Sequence, residues 1–354
     1  MKSLTLQKSI DFKVPTGVLA AGLLNDDKQL ALGCMDGVYI AELETRSSHQ
    51  IGTHDSYVSS VVSVPTHKLI VSAGYDGCLN WFDSQSFQKI RTQKVHDFWS
   101  WDLSVSPDES KLASVTGQYL AGGYKYEPAP EREPSLKIFG AQTGELLHEL
   151  EHVPSVQAVA FSHDSRYVAA GNLMGEVRVW DCQSGQQVAN WTTDALTSWG
   201  IIKSHCYLGG VFSLKFTPDS NELLLAGMGP MRDPMAGNGR QLWQKWAWKD
   251  TPQLTGEIRK EDAGEGLMET LALHPGGELF AMGGRLRGGQ WNVAIFDLST
   301  GQQLATQKTG YRVTEANFTQ DGNRLVLVGS QGQPQPNQER KFGEFGRVEV
   351  YNCS

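Results

Sequence analysis

The sequence predicts an all-β fold: a seven-bladed β-propeller of four-stranded antiparallel blades, with the last blade closed by the N-terminal strand. Three observations carry this expectation. An apolar-alternating segment returns seven times, a polar turn follows each copy at once, and the strand missing after the seventh copy is matched by one left over before the first.

The first strands of the repeat are VLAAGLL (18–24), VSSVVSV (58–64), SWDLSVS (100–106), VQAVAFS (156–162), VFSLKFT (211–217), METLALH (268–274) and VTEANFT (313–319). A turn tetrad follows each one: NDDK at Asn25, PTHK at Pro65, PDES at Pro107, HDSR at His163, PDSN at Pro218, PGGE at Pro275 and QDGN at Gln320. Proline presets φ for a turn, and Asp, Asn or Gly completes it. Second strands such as LIVSAG and LVLVG then end on small residues. Third strands follow as VYIAEL, CLNWFD, SLKIFG, EVRVWD, QLWQKWAWKD, NVAIFD and RVEVYN. Segments such as QSGQQVANW (183–191) and STGQQLATQ (299–307) supply a tight turn and a more polar fourth strand. Four antiparallel strands make one blade.

The blades expected on this reading span approximately 15–54, 55–97, 98–153, 154–194, 207–262, 263–310 and 311–354 with 4–14, in one domain covering 1–354. The tetrads begin 40, 42, 56, 55, 57 and 45 residues apart, so a period near forty carries insertions. One such sheet cannot bury both its faces, and its neighbours must cover them. The seventh copy ends after its third strand, and LTLQKSIDFKV (4–14) is expected to fill the vacant position and protect that edge.

Composition narrows the function. Hydrophobic residues at 40%, charged residues at 20% and 38 glycines fit an ordered, turn-rich chain. The opening MKSLTLQKSIDFKVP lacks a signal-like apolar run, and no stretch of about 18 apolar residues occurs, so a cytoplasmic protein without membrane association is expected. Cys34, Cys78, Cys182, Cys206 and Cys353 are odd in number and scattered, without zinc-ligand spacing, which suits free thiols in a reducing compartment. Thirty-nine acidic against 31 basic residues give a net charge of -8, which opposes general nucleic-acid binding.

EVRVWD, with Trp180 and Asp181, resembles the WD-repeat family, and WFD, IFD and VYN look like eroded forms of the same ending. The resemblance extends over essentially the whole chain. His54, His96 and His152 each stand 11 residues before a turn tetrad, where the family places a histidine. In the second copy His54, Ser72 and Asp76 match the family's hydrogen-bonded His, Ser and Asp, and the resemblance implies structural roles for all of these. The pattern is broken elsewhere: Met174 stands where the fourth blade's turn Asp belongs, and Tyr207, Gly264 and Thr309 occupy the later histidine positions.

In that architecture the fourth-to-first and second-to-third connections share one rim, the top face. The insertions 118–134, 230–240, 285–290 and 333–344 fall between second and third strands, and 195–210 falls between the fourth and fifth blades. All five are therefore expected on one rim. Long loops gathered on one face of a rigid scaffold point to function, although drift in a tolerant region would also lengthen them.

The expected function is a non-enzymatic protein-interaction scaffold that binds a protein or peptide partner across the top face. Trp99, Trp101, Tyr124, Trp199 and Phe212 are the candidate aromatic contacts. Asp102, Glu269 and Glu315 are the candidate acids selecting a basic group, and Arg285 and Arg287 are candidate cations from an insertion. Two alternatives stand beside it: an enzyme or sensor with a metal or small molecule at the axial channel mouth, and a purely architectural subunit of a larger complex. The sequence lacks GxSxG and phosphate-cradle patterns, and Cys206 beside His205 is adjacent in sequence without being oriented by it. No catalytic residue, metal site or cofactor is expected.

Overall fold

The computed structural model describes residues 4–120, 127–128, 130–196, 210–233, 238–285, 289–332 and 343–354. The architecture is all-β, a seven-bladed β-propeller with four-stranded antiparallel blades. The chain packs as two compact units. One contains blades 6, 7 and 1 and blade 2 as far as residue 92; the other runs from residue 93 through blades 3, 4 and 5. Among the described residues no helix is long and apolar enough to cross a membrane.

Blade 2 shows why these residues form these strands. Its inner pair, Leu69–Gly74 and Cys78–Asp83, is almost continuously buried, because the two middle strands of a blade are covered on both faces. The outer strand, Lys89–Lys94, alternates exposed and half-buried positions, as KIRTQK implies. First strands match the repeat closely, with Val18–Leu24 and Val58–Val64 falling where VLAAGLL and VSSVVSV stand. The strand of blade 3 is shorter than its repeat, Asp102–Val105.

Two insertions contain pairing that their loop-like composition does not suggest. Strands Glu222–Asp233 and Asn238–Ala247 extend the hairpin of blade 5 through most of 230–240. Within 118–134, Tyr119–Leu120 pairs with Glu127–Pro128.

The lower turns are built alike in four blades. Ser106, Ser162, Thr217 and Thr319 donate their hydroxyls to Asp108, Asp164, Asp219 and Asp321 at 2.5–2.6 Å. Each hydroxyl in turn accepts a backbone N–H five residues on. These turns also join blades. The Asp108 N–H donates to Ser165 Oγ and the His163 N–H to Ser220 Oγ, both at 3.0 Å, while the Gln320 N–H reaches Asp27 at 2.7 Å. Ser165, Ser220 and Asp27 hold φ of 59°, 57° and 63°, the left-handed conformation that points each acceptor back at the preceding blade.

The closing strand is where the repeat count places it. Leu6–Val14 pairs antiparallel with Gly346–Cys353, from Leu6 opposite Cys353 to Val14 opposite Gly346, and completes the sheet of Arg312–Phe318 and Arg324–Ser330. Phe12 and Val14 enter a core shared with Val18, Leu32 and Tyr39 of blade 1 and with Val348 and Val350 of blade 7. Removing residues 1–14 uncovers both that core and the edge of the Gly346–Cys353 strand. The expected result is a lower melting temperature and concentration-dependent aggregation, read by scanning calorimetry and light scattering; an unchanged melting temperature would contradict the closure.

Candidate functional site

The repeat residues show how each blade carries its connections. In blade 2 the His54 Nδ1 lies 3.0 Å from both Asp76 carboxylate oxygens, and Nε2 lies 2.8 Å from Ser72 Oγ. A carboxylate only accepts, so Nδ1 carries the proton and the Ser72 hydroxyl donates to Nε2. Asp76 also accepts the amides of Asp55 and Cys78. Burial opposes its charge, but the His54 ring and these amides hold its pKa below the usual carboxylate range. Gly74 is required at this point, because a Cβ there would lie 2.5 Å from His54 Nδ1 and 2.8 Å from Asp76.

A serine, histidine and carboxylate in line resemble a hydrolytic triad, but Ser72 and the His54 side chain are fully buried. An acyl group cannot reach the hydroxyl. The array ties a connection to its blade.

Blades 3 and 4 perform the same task with other atoms. His96 Nε2 meets Ser114 Oγ at 2.9 Å, and the carboxylate comes from Glu133, at the end of the 118–134 insertion. Glu133 accepts the amides of Asp97 and Phe98 and pairs with Lys137 at 2.8 Å. Its second oxygen lies 3.6 Å from His96 Nδ1. Burial raises its pKa, but the His96 ring, Lys137 and the Asp97 amide outweigh this and bring it down to about 2. Burial lowers the pKa of His96.

In blade 4 an alanine replaces the serine, and the His152 Nε2–H donates to the Ala170 carbonyl at 3.2 Å. His152 is fully buried against Trp180, and burial brings its pKa down to about 3. Met174 is no loss: Asn172 Oδ1 accepts the amides of Met174 and Glu176, and its amide group donates to the Val153 carbonyl. Trp180 packs in the core between blades 3 and 4, and Asp181 caps its turn through the amides of Gln183 and Ser184. Sequence reading missed Glu133 and Asn172. The available signal was a carboxylate or carboxamide just ahead of the third strand.

The candidate contacts separate into distinct groups. Trp99 is exposed at 38% and stacks on Phe98 with ring centroids 5.1 Å apart, while Trp101 meets it edge-on at 5.2 Å. Trp101 is half-buried, packs against the core of blades 3 and 4, and donates its indole N–H to the Gly117 carbonyl. Phe212 is half-buried in the first strand of blade 5. Tyr124, Trp199 and Arg287 lie outside the described residues.

The three acids are engaged by the protein's own donors. Asp102 accepts the amides of Leu103 and of Val159 in the next blade. Glu315 accepts the Thr270 hydroxyl at 2.9 Å, and Thr270 accepts the amide of Ala316. The Glu269 side chain is 8% exposed, and both its oxygens accept from Arg312 Nε at 2.9 and 2.7 Å. Burial raises the Glu269 pKa against the pull of Arg312. The basic group that Glu269 holds is thus internal.

Arg285 is exposed. It lines a cavity of about 600 Å³ in the unit of blades 6, 7 and 1, together with Lys308, Arg312, Leu19, Met35 and Tyr311. Each of these residues lies in a fourth-to-first or second-to-third connection, or at the start of a first strand.

The profile of the WD domain, G-beta repeat, matches residues 45–83 and 144–181. The first span holds His54, Ser72 and Asp76, and the second holds His152, Trp180 and Asp181. Two spans of this seven-bladed β-propeller therefore match the WD-repeat family. The chain is 23% identical over 199 residues to COMPASS component SWD3 of Saccharomyces cerevisiae, covering 54% of this chain and 58% of that one. It is 27% identical over 192 residues to the meiotic recombination protein rec14 of Schizosaccharomyces pombe, covering 52% and 58%. It is also 27% identical over 133 residues to the target of rapamycin complex subunit wat1 of the same yeast, covering 37% and 38%. The chain therefore spans less than two thirds of the length of these curated relatives.

The buried groups of this propeller set a pH dependence. Glu133 has a depressed pKa in the fold, so its contribution is complete above the ordinary 4.5 and is lost as pH falls toward about 2. His96 and His152 are held neutral, so their contribution is complete above 6.5 and is lost on acidification, for His152 down to about 3. The melting temperature should fall progressively below pH 6.5. Glu133→Gln should lower it at neutral pH by roughly 2–4 °C. The gap from wild type should close as pH drops from 4.5 toward 2, as read by scanning fluorimetry across a pH series. A constant gap would show that the carboxylate charge is not what Glu133 contributes.

Proposed function

We propose that this protein is a non-catalytic scaffold that holds a partner protein along the rim formed by its fourth-to-first and second-to-third connections. The observation that carries this reading is the cluster of Phe98, Trp99 and Trp101. Three aromatic rings are in mutual contact on the connection entering blade 3, Trp101 anchored in the blade and Trp99 presented to solvent. Large rigid aromatics held ready at a rim are the groups that dominate binding energy, because little side-chain entropy is lost on contact. The fixed base matters as well. Trp101 donates to Gly117, while Glu133 holds the amides of Asp97 and Phe98, so the cluster is oriented before a partner arrives.

Two relatives bear the names of subunits of protein complexes, COMPASS and the target of rapamycin complex, which supports membership of an assembly. The proposed setting is the cytoplasm, where Cys34 and Cys182, buried as free thiols, remain reduced.

The test is affinity purification of the tagged wild type alongside Trp99→Ala and the Phe98→Ala/Trp99→Ala double variant, with quantitative mass spectrometry. Truncating a rim anchor should cost about 2 kcal/mol, roughly 30-fold in affinity, at unchanged melting temperature. Retention of every wild-type partner by the folded double variant would reject this site.

A further inference from the structure

We infer that Lys8 and Glu349 form a register lock, a charge pair that admits the N-terminal strand to the seventh blade in one alignment.

The closing strand turns over partway along its length. Ile10, Phe12 and Val14 pack on the core shared with blade 1, whereas Leu4 and Leu6 pack on the core between blades 6 and 7. All five are even-numbered, and a regular strand would carry them on one face. The reversal falls at Ser9, the extra residue between the pairs Lys8 with Tyr351 and Ile10 with Val350. The Ser9 hydroxyl donates to the Val350 carbonyl at 3.1 Å. Apolar packing alone leaves the alignment weakly specified, because a slip of two residues keeps each side chain on its own face.

Glu349 supplies the missing specification. It lies on the face of its strand shared with Tyr351, which packs in the core of blades 6 and 7, and its side chain is 4% exposed. One oxygen accepts Lys8 Nζ at 2.7 Å, and the other accepts the Tyr351 hydroxyl at 2.6 Å. Among the described residues Lys8 is the cation paired with it, while Arg347 meets Asp11 at 3.8 Å and donates to Gln331. The bond to Glu349, with a smaller part from Asp11, holds the Lys8 pKa above its usual value against burial. Burial and the bond to Glu349 push the Tyr351 pKa up, so its hydroxyl stays a donor.

The cost of misalignment follows. A slip that brings Leu4 opposite Cys353 puts Leu6 in the place of Lys8 and leaves the carboxylate shielded from water without its cation. Removing one partner of a shielded charge pair is far more costly than removing both. The pair therefore contributes mainly to which alignment forms.

The experiment reads alignment and protection in the full-length chain. Leu6 lies opposite Cys353, so Leu6→Cys should form a disulfide with Cys353 on mild oxidation. Leu4→Cys, out of reach in this alignment, should bridge Cys353 only after the slip. Bridges are assigned by mass spectrometry of proteolytic peptides. Lys8→Met and Lys8→Met/Glu349→Gln should each raise the yield of the Leu4→Cys bridge relative to the Leu6→Cys bridge by about tenfold, because neither retains a charge that penalises slippage. Hydrogen exchange over residues 4–14 should quicken by about tenfold in Lys8→Met, recover most of that loss in the double variant and stay near wild type in Lys8→Arg. The double variant and Lys8→Arg carry the test if Lys8→Met does not fold. An unchanged ratio of bridges would leave the pair a mere stabiliser and overturn the lock. Exchange in Lys8→Met equal to wild type, or exchange in the double variant as fast as in Lys8→Met, would overturn it as well.

Discussion

Each blade is a sheet with two apolar faces, and the contact between neighbouring blades is the interaction on which the other features depend. Val14, Val18, Leu32, Tyr39 and Val348 make one core across blades 7 and 1, and Val38, Ile40, Val58, Ile70 and Phe82 make another across blades 1 and 2. At about 25 cal/mol per Å² of apolar surface removed from water, no single four-stranded sheet retains this stabilisation alone. The contact also constrains polar groups. A carboxylate or hydroxyl on a first strand finds the next blade's backbone within reach, and an amide left without an acceptor there would be costly. Asp102 and Thr270 accordingly accept the amides of Val159 and Ala316.

That constraint explains what was legible in the sequence. Strand order, the lower turns and the closing strand are local or periodic properties, visible in alternation, in the turn tetrads and in the count of copies. Leu6–Val14 fills the vacant position because the repeat leaves one place for it. The roles of the acids are not local. Asp102 meets Val159 across 57 positions, and Glu269 meets Arg312 across 43. In the sequence an acid at the start of a first strand reads as available. Its partner is set by how blades pack, which alternation of apolar residues does not encode.

Erosion of the repeat has a similar explanation. What a blade requires is an acceptor for the amides of its connections, and any correctly placed oxygen supplies it. Asp76 does so in blade 2, Glu133 in blade 3 and Asn172 in blade 4. The histidine likewise needs only an acceptor or a hydroxyl partner, met by Ser72, Ser114 or the Ala170 carbonyl. Residue identity therefore drifts while the hydrogen-bond pattern persists.

The same accounting explains why the insertions fall where they do. In four blades the lower turn closes a ring of bonds within five residues, and two of these turns also donate a backbone amide to a hydroxyl of the next blade. An added residue there would break the turn and the link together. On the opposite rim, among the described residues, Glu133, Asn172 and Asn292 gather the ends of connections. Between such anchors the chain can lengthen at small entropic cost, since closure grows only logarithmically with length. Aromatic and cationic groups can therefore accumulate on this rim without disturbing the contacts between blades. Phe98 and Trp99 rest on the amide clamp of Glu133, and Arg312 rests on Glu269, so in both places a carboxylate shielded from most of the solvent fixes a more exposed group.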